Sequence, residues 1–336
     1  MMFLQIPRNK VILVASGICH TDIDFCDSGA GGPVVLGHEG AGKVEKVGKR
    51  VKGMRVGDHV VLSYQSCGQC QACKAGQPVD CQRFFEANFG FQRLDGSNAL
   101  ESNGVRGHFF GQSSFATHAL ATKRNLVKVP KTLPLQLLAS LGCGLQTGAG
   151  TVVNSLAVRA RASIAIFGTG SVGLAAVMAA RIVGARTIIA VDIRPHRLKL
   201  ALELGATHVI DNRRGDLAAS ISRITGGGID YVVETTGAGP LYSLALELLN
   251  PNGKLAILTG GSGMELPGGR KVLSVIQGDA VPLQFIPTLI QLYHQGRFPF
   301  NRLVKYYPLR QINRAIADSK RGSTIKPVLL ISPESQ

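Results

Sequence analysis

The sequence predicts an α/β chain in two parts: a doubly wound parallel sheet covered by helices, and a mostly-β domain beside it. Three observations carry this. Up to about residue 135, short β-rich runs are punctuated by glycine ("KVILVASG", "GAGKVEKVG", "GDHVVLSY", "FATHALAT", "NLVKVP"), as in closely spaced strands joined by tight turns. From Ser163, continuous apolar runs alternate with helix-length segments, which is the rhythm of βαβ units whose strands are buried on both faces. At the first of those strands a glycine pattern, "IFGTGSVG", opens the following helix.

Bulk composition permits this architecture. At 336 residues the chain can hold two separate cores, and 45% hydrophobic content lies well above the disordered range. No apolar run reaches the ~18 residues that a membrane span requires. The 37 Lys+Arg against 21 Asp+Glu give a formal net charge of +16. The positives are dispersed, however, with no run longer than a pair and no interleaved aromatics, so neither nucleic acid nor membrane is expected as a partner. The start, "MMFLQIPRNKVILVASG", has no basic region ahead of its apolar stretch and reads as the edge of a folded domain. Seven cysteines, four of them crowded together, suit metal in a reducing compartment, so a cytoplasmic location is expected.

Taken in order, the β-rich runs are interrupted by a Cys- and Gly-rich lobe over about 64–110, which looks too poor in apolar residues to hold itself together by burial. Strands "SIAIFG", "TIIAVD", "HVID", "DYVVE" and "KLAILTG" then alternate with helical segments such as "SVGLAAVMAARIVG" and "PHRLKLALELG". A further strand, "KVLSVIQG", and the helix "PLQFIPTLIQLYHQG" finish this part near 296. The tail returns to a helix and a final strand, "KPVLLI", expected to rejoin the first domain. The domains are therefore placed at 1–146 with 297–336, and at 147–296.

Gly168, Gly170 and Gly173 form G-x-G-x-x-G directly after a strand. Gly168 permits the tight turn, Gly170 lets the backbone approach a pyrophosphate, and Gly173 lets helix and strand pack closely. The helix start at Ser171 and Val172 offers free N–H groups to the phosphates. Nineteen residues past Gly173, Asp192 ends the second strand, where a carboxylate binds ribose hydroxyls and repels a 2′-phosphate. NAD is therefore expected over NADP, although Arg194 and Arg197 follow closely.

Cys67, Cys70, Cys73 and Cys81 can wrap one tetrahedral Zn²⁺ with no position left for water, a closed structural shell. A nucleic-acid-reading finger needs an adjoining helix, and the flanks "AGQPVD" and "QRFFEANFGFQRLDGS" read as poor helices. A redox centre needs only one accessible pair. A second set is dispersed: Cys19 in "GICHTD", His38 and Glu39 in "GHEG", Cys143 in "GCGLQTG". Singly, each cysteine reads as a small buried hydrophobe and His38 as a turn residue. Together two thiolates and an imidazole make the ligand set of a catalytic zinc with an open position, which lowers the pKa of a bound alcohol.

"GICHTD", "LGHEGAGKVEKVG", "GDHVV", "CGQCQACKAGQPVDC", "GCGLQTGAGTVVN" and "GTGSVG" stand in one order along nearly the whole chain. In this the chain resembles the zinc-dependent alcohol dehydrogenases of the medium-chain dehydrogenase/reductase superfamily. "FFEANFGFQRLDGSNAL" and "FIPTLIQLYHQGRFPF" are most similar to the aryl-alcohol (benzyl-alcohol) and terpenoid-alcohol branch. The resemblance implies a GroES-like catalytic domain with a structural-zinc lobe, a Rossmann NAD-binding domain, and substrate held between them. Cys19, His38 and Cys143 would hold the catalytic zinc, with Glu39 behind it as an alternative ligand. Asp22 would orient the His38 imidazole, and Thr21 would pass the alcohol proton outward. His20 would lie near the cofactor pyrophosphate, Thr147 near the nicotinamide, and Asp192 and Arg197 at the adenosine ribose. Tyr64, Phe89 and Phe91 would wall the substrate site.

Two zinc ions per chain, an alcohol/aldehyde substrate pair and a homodimer or homotetramer are implied as well. The chain departs from the family pattern where many relatives end the proton relay in histidine; here that residue is Asp24. Relatives also carry edge strands ahead of "VILVASGICHTD", and "GGSGMELPGGRKVLS" is shorter than usual. Unpaired edges imply lower stability. The alternatives are a physiological reductase of a specialised carbonyl, or a weakly active or idle zinc scaffold.

Overall fold

The computed structural model describes residues 8–100, 104–260 and 263–331. The reading of the first seven residues, and part of the "GGSGMELPGGRKVLS" comparison, lie outside the described residues. In chain order the strands are β1 (Arg8–Gly17), β2 (Glu39–Lys46), β3 (His59–Leu62), β4 (His118–Thr122), β5 (Leu126–Lys128), β6 (Ser163–Phe167), β7 (Thr187–Asp192), β8 (His208–Asp211), β9 (Ile229–Glu234), β10 (Leu249–Ile257), β11 (Met264–Leu266), β12 (Arg270–Ser274), β13 (Val304–Pro308) and β14 (Lys326–Leu330). Two compact units result. One holds residues up to Gly144, Val281–Thr288 and the tail from Asn301; the other holds Leu145–Ala280 with Leu289–Phe300. The stretch Val281–Thr288 thus groups with the first unit, whereas the sequence reading assigned it to the second.

In the first unit the strands run β13-β14-β1-β2-β3-β5, with β4 also paired to β1. β1 is the hub because its inward residues Val11, Leu13 and Ala15 are wholly buried, as alternation in a half-buried strand requires. The tail does return here: β14 lies antiparallel to β1 with Gly17 opposite Val328. "LVKYYP", taken in the sequence as part of the tail before its helix, is β13 and pairs parallel with β14.

The second unit's sheet has the order β11-β12-β10-β9-β6-β7-β8. All its pairs are parallel except β11 with β12. Strand order reverses at β6, which has β7 on one side and β9 on the other. In doubly wound sheets a nucleotide binds at the carboxyl end of the strands at this switch point, and the glycine pattern begins there. No helix among the described residues is long and apolar enough to cross a membrane.

The lobe corrects the sequence reading. Far from lacking a core, it buries Tyr64, Phe84, Phe91, Phe109 and Phe110 together with Cys67 and Cys81. Phe91 stacks on Phe109 at 5.4 Å between ring centroids, and Phe25 stacks on Phe89 at 5.6 Å. Part of "QRFFEANFGFQ" is also a short helix, Phe84–Phe89, which puts Phe84 inward and Phe85 outward. The sequence hid this because the phenylalanines come from three separated stretches that no periodicity links. Phe109→Ala should therefore destabilise the zinc-loaded protein by ~3–5 kcal/mol in urea unfolding. A loss under ~1 kcal/mol, the ordinary scale of an unremarkable substitution, would mean that metal alone holds the lobe.

Candidate active site

The first cluster of chemistry-bearing side chains is assembled from three separate connections. Cys19 follows β1 and caps the helix α1 (His20–Asp27); Glu39 opens β2 with His38 just before it; Cys143 precedes the helix Gly144–Gly150. Close backbone approach is needed for this. A Cβ on Gly17 would collide with the Glu39 carboxylate, and one on Gly142 would strike the Leu62 carbonyl oxygen. As a result, ligand atoms of Cys19, His38, Glu39 and Cys143 all lie within 4.8 Å of one another.

Asp22, buried in the first turn of α1, joins these connections. Its carboxylate accepts the backbone N–H groups of Cys19 and Gly37, each at 3.0 Å, and faces His38 Nδ1 at 2.9 Å. That contact turns the ring so that Nε2 points into the cluster, where it is buried without a hydrogen-bond partner. An orphaned ring nitrogen beside two thiols is the donor set that zinc satisfies. The site residues therefore fit the metal.

Burial alone would lower the His38 pKa, but the charge and hydrogen bond of Asp22 raise it to about 10. The hydrogen bond between the two thiols lowers Cys19 well below the ordinary thiol value and raises Cys143 well above it. The two shifts run in opposite directions because one hydrogen bond is shared between the two sulfurs.

Behind it, burial pushes the Glu39 carboxyl up while the charge of Lys326 opposes this. Glu39 forms a wholly buried ion pair with Lys326 and accepts Gly144 N–H at 3.1 Å. Lys326 also donates to the Ile18 carbonyl at 3.2 Å. Sequence reasoning missed this lysine, because only the β14–β1 pairing carries residue 326 to residue 18.

Thr21 Oγ lies 3.9 Å from Cys19 Sγ. His20 and Asp24 are both exposed and face one another at 3.6 Å. Of the aromatic residues singled out, Tyr64 packs against Phe84 and Phe91 against Phe109, inside the lobe. The ring on His38 is instead Phe110, stacked at 4.4 Å, with Phe89 edge-on to it at 5.0 Å. Phe110 takes a φ of 51° and its neighbour His108 a φ of 77°, a left-handed backbone costing roughly 1–2 kcal/mol per residue. The aromatic core offsets that strain.

Cys67, Cys70, Cys73 and Cys81 also converge within 4.8 Å. Backbone N–H groups of Gln69 and Cys70 point at Cys67 Sγ, both at 3.4 Å. Against the effect of burial, these bonds lower the Cys67 pKa. Backbone bonds bring Cys70 down to about 6, whereas burial pushes Cys81 up to about 12. The four thiols suit a second zinc.

In the second unit Gly168 has φ +88°, and a Cβ on Gly173 would clash with the Gly168 carbonyl. Helix Ser171–Ile182 follows, with Gly170 at its N-cap and the N–H groups of Ser171 and Val172 in its open first turn. Asp192 accepts from Ile193 N–H at 2.7 Å and Arg194 N–H at 3.0 Å. Its other oxygen accepts both the N–H and the hydroxyl of Thr169, each at 2.7 Å. Despite burial, those Thr169 bonds and the Arg197 charge hold the Asp192 carboxyl below its usual value. Thr169, the unspecified position of the glycine pattern, gave no sequence signal. Thr147 is buried, and its carbonyl accepts the Thr151 hydroxyl at 2.7 Å.

Comparison with known proteins agrees with both units. Residues 9–131 match the alcohol dehydrogenase GroES-like domain, and residues 171–278 match the zinc-binding dehydrogenase family. The chain belongs to the zinc-dependent alcohol dehydrogenases. It is 42% identical to geraniol dehydrogenase of Castellaniella defragrans, over 97% of this chain and 92% of that protein. The solved benzyl alcohol dehydrogenase of Acinetobacter calcoaceticus is 44% identical with a TM-score of 0.92, again over 97% and 92%. A zinc-binding-domain alcohol dehydrogenase from Burkholderia ambifaria is 50% identical, with the same TM-score and coverage. Zinc and NAD are accordingly the family's cofactors.

Zinc uptake at Cys19–His38–Cys143 should release protons, because the metal takes thiolates and a neutral imidazole. Affinity should then fall as pH falls, since protons compete for the same atoms. Indicator-dye titration of the metal-stripped dehydrogenase checks this, and proton-neutral uptake there would contradict it. Thr169→Val should raise KM for NAD roughly tenfold with little change in kcat, since one hydrogen bond to a charged group is lost. Thr169→Ser should restore the KM, and a KM unchanged in the valine variant would remove the role.

Proposed function

We propose that this enzyme reversibly oxidises primary alcohols whose reacting carbon is allylic or benzylic, using NAD. The observation that carries the reading is the orphaned His38 Nε2 between Cys19 and Cys143 under a phenylalanine-lined wall. Cys19, His38 and Cys143 would hold the catalytic zinc, and Glu39, tethered by Lys326, would stand by as the alternative ligand. When bound, the metal polarises the substrate oxygen and lowers its pKa, while NAD accepts the hydride.

The remaining work falls to the chain. Asp22 fixes the imidazole orientation, and the Thr21 hydroxyl takes the alcohol proton outward. Phe110 and Phe89 exclude water and favour a flat, unsaturated group. The backbone from Gly168 to Gly173 receives the pyrophosphate, with His20 near it; Asp192 and Arg197 hold the adenosine ribose; Thr147 meets the nicotinamide. Cys67, Cys70, Cys73 and Cys81 would hold a second, structural zinc. The domains are taken as 1–146 with 297–336, and 147–296, the stretch Val281–Thr288 of the latter grouping with the first. A homodimer or homotetramer is expected, and all seven cysteines are free thiols, which suits a reducing, cytoplasmic setting.

The geranyl and benzyl names of the relatives support this substrate class. The test is NADH formation by purified, zinc-analysed protein across aliphatic, aromatic and terpenoid alcohols. Benzyl alcohol and geraniol should give kcat/KM at least about tenfold above ethanol, the scale of one hydrophobic pocket contact. Preference for short aliphatic alcohols would overturn the substrate class. Cys143→Ala should abolish turnover with NAD binding kept, and undiminished turnover would overturn the site.

A further inference from the structure

A small cavity opens beside β1 and β4, lined by Arg8, Arg93, Asp95, His108, Thr122 and Arg124 among others. Among the described residues that line it, the charges do not balance. Arg8 and Arg93 face one carboxylate, Asp95, for a sum of 2 − 1 = +1. Arg124 adds a third guanidinium, which also faces Cys67, Cys73 and Cys81.

Existing hydrogen bonds do not use up this charge. Arg8 reaches Asp95 at 3.3 Å. The two terminal nitrogens of Arg93 hold the 97–99 turn, through Ser97 Oγ and the carbonyls of Asn98 and Ala99. Arg93 Nε, however, is buried without a partner. His108 is 7% exposed, and its ring has no hydrogen-bond partner among the described residues. Burial first, then the positive charge of Arg93 and Arg8, lowers its pKa to about 4, so it stands as a neutral ring with one N–H to give. Unused donors around an uncompensated positive charge are what an anion satisfies.

Size decides which anion. The cavity measures about 20 Å³, and one water needs roughly 10–15 Å³ on that scale. A single halide-sized particle fills that space.

We propose that this cavity is a binding site for one small monovalent anion of chloride size, joining Arg8 of β1 to Arg93 and His108 of the lobe. None of its lining residues is among those assigned to substrate or cofactor, and its role is to tie the lobe to the sheet. The anion supplies the negative charge that Asp95 alone does not.

The test uses the zinc-loaded full chain. Chloride-35 line broadening is titrated at constant ionic strength against gluconate, and bromide-soaked crystals are examined for anomalous scattering. We expect saturable broadening and a bromide peak among Arg8, Arg93 and His108. Arg8→Gln should weaken binding roughly tenfold, the loss of one charge-assisted contact. Asp95→Asn, which removes the competing charge and keeps a side-chain oxygen for Ser97, should tighten it severalfold. Halide at a cysteine-bound metal would ignore both substitutions. Absence of the peak, or broadening unmoved by Asp95→Asn, overturns the site.

Discussion

The Asp22 carboxylate is the contact on which the rest of the catalytic region depends. It accepts N–H groups from Cys19 and Gly37 and faces the His38 ring. One buried group thereby sets the start of a helix, the turn before β2 and the direction of a ligand nitrogen. Such a group is costly to bury unless it is hydrogen-bonded, and here three neighbours bond to it. Rigid orientation of the imidazole is the return, because a metal site tolerates little angular error.

A second buried charge pair backs the first. Glu39 and Lys326 are both fully enclosed, a costly arrangement unless further hydrogen bonds complete it. Gly144 N–H and the Ile18 carbonyl complete it. The pair also fastens β14 to the connections that carry Cys19, Glu39 and Cys143. Opposite it, the aromatic core of the lobe presses Phe110 onto His38 and holds that residue in a left-handed backbone. The packing of the lobe and the ring that covers His38 therefore rest on the same phenylalanines.

The two cysteine clusters differ in what their surroundings do to them. In the Cys67–Cys81 set, backbone N–H groups from a tight turn already stabilise thiolate charge at Cys67. In the other, a hydrogen bond links the two cysteines and splits their pKa values, while Asp22 raises that of the imidazole.

Local pattern determined much of this protein. The four-cysteine spacing, the glycine pattern after β6, and the rhythm change near Ser163 each depend on neighbours within a few turns, so they can be read from a linear string. The trio Cys19, His38 and Cys143 was also legible, through residue types on glycine-framed turns and the family resemblance they carry. Tertiary structure alone decided the rest. Lys326 meets Glu39 only because β14 pairs with β1, and the lobe's core gathers phenylalanines from residues 25, 84–91 and 109–110. Thr169 reaches Asp192 only because β6 and β7 are adjacent. Each of these is a contact between distant segments, set by strand pairing and burial, and no periodicity in the sequence reports it.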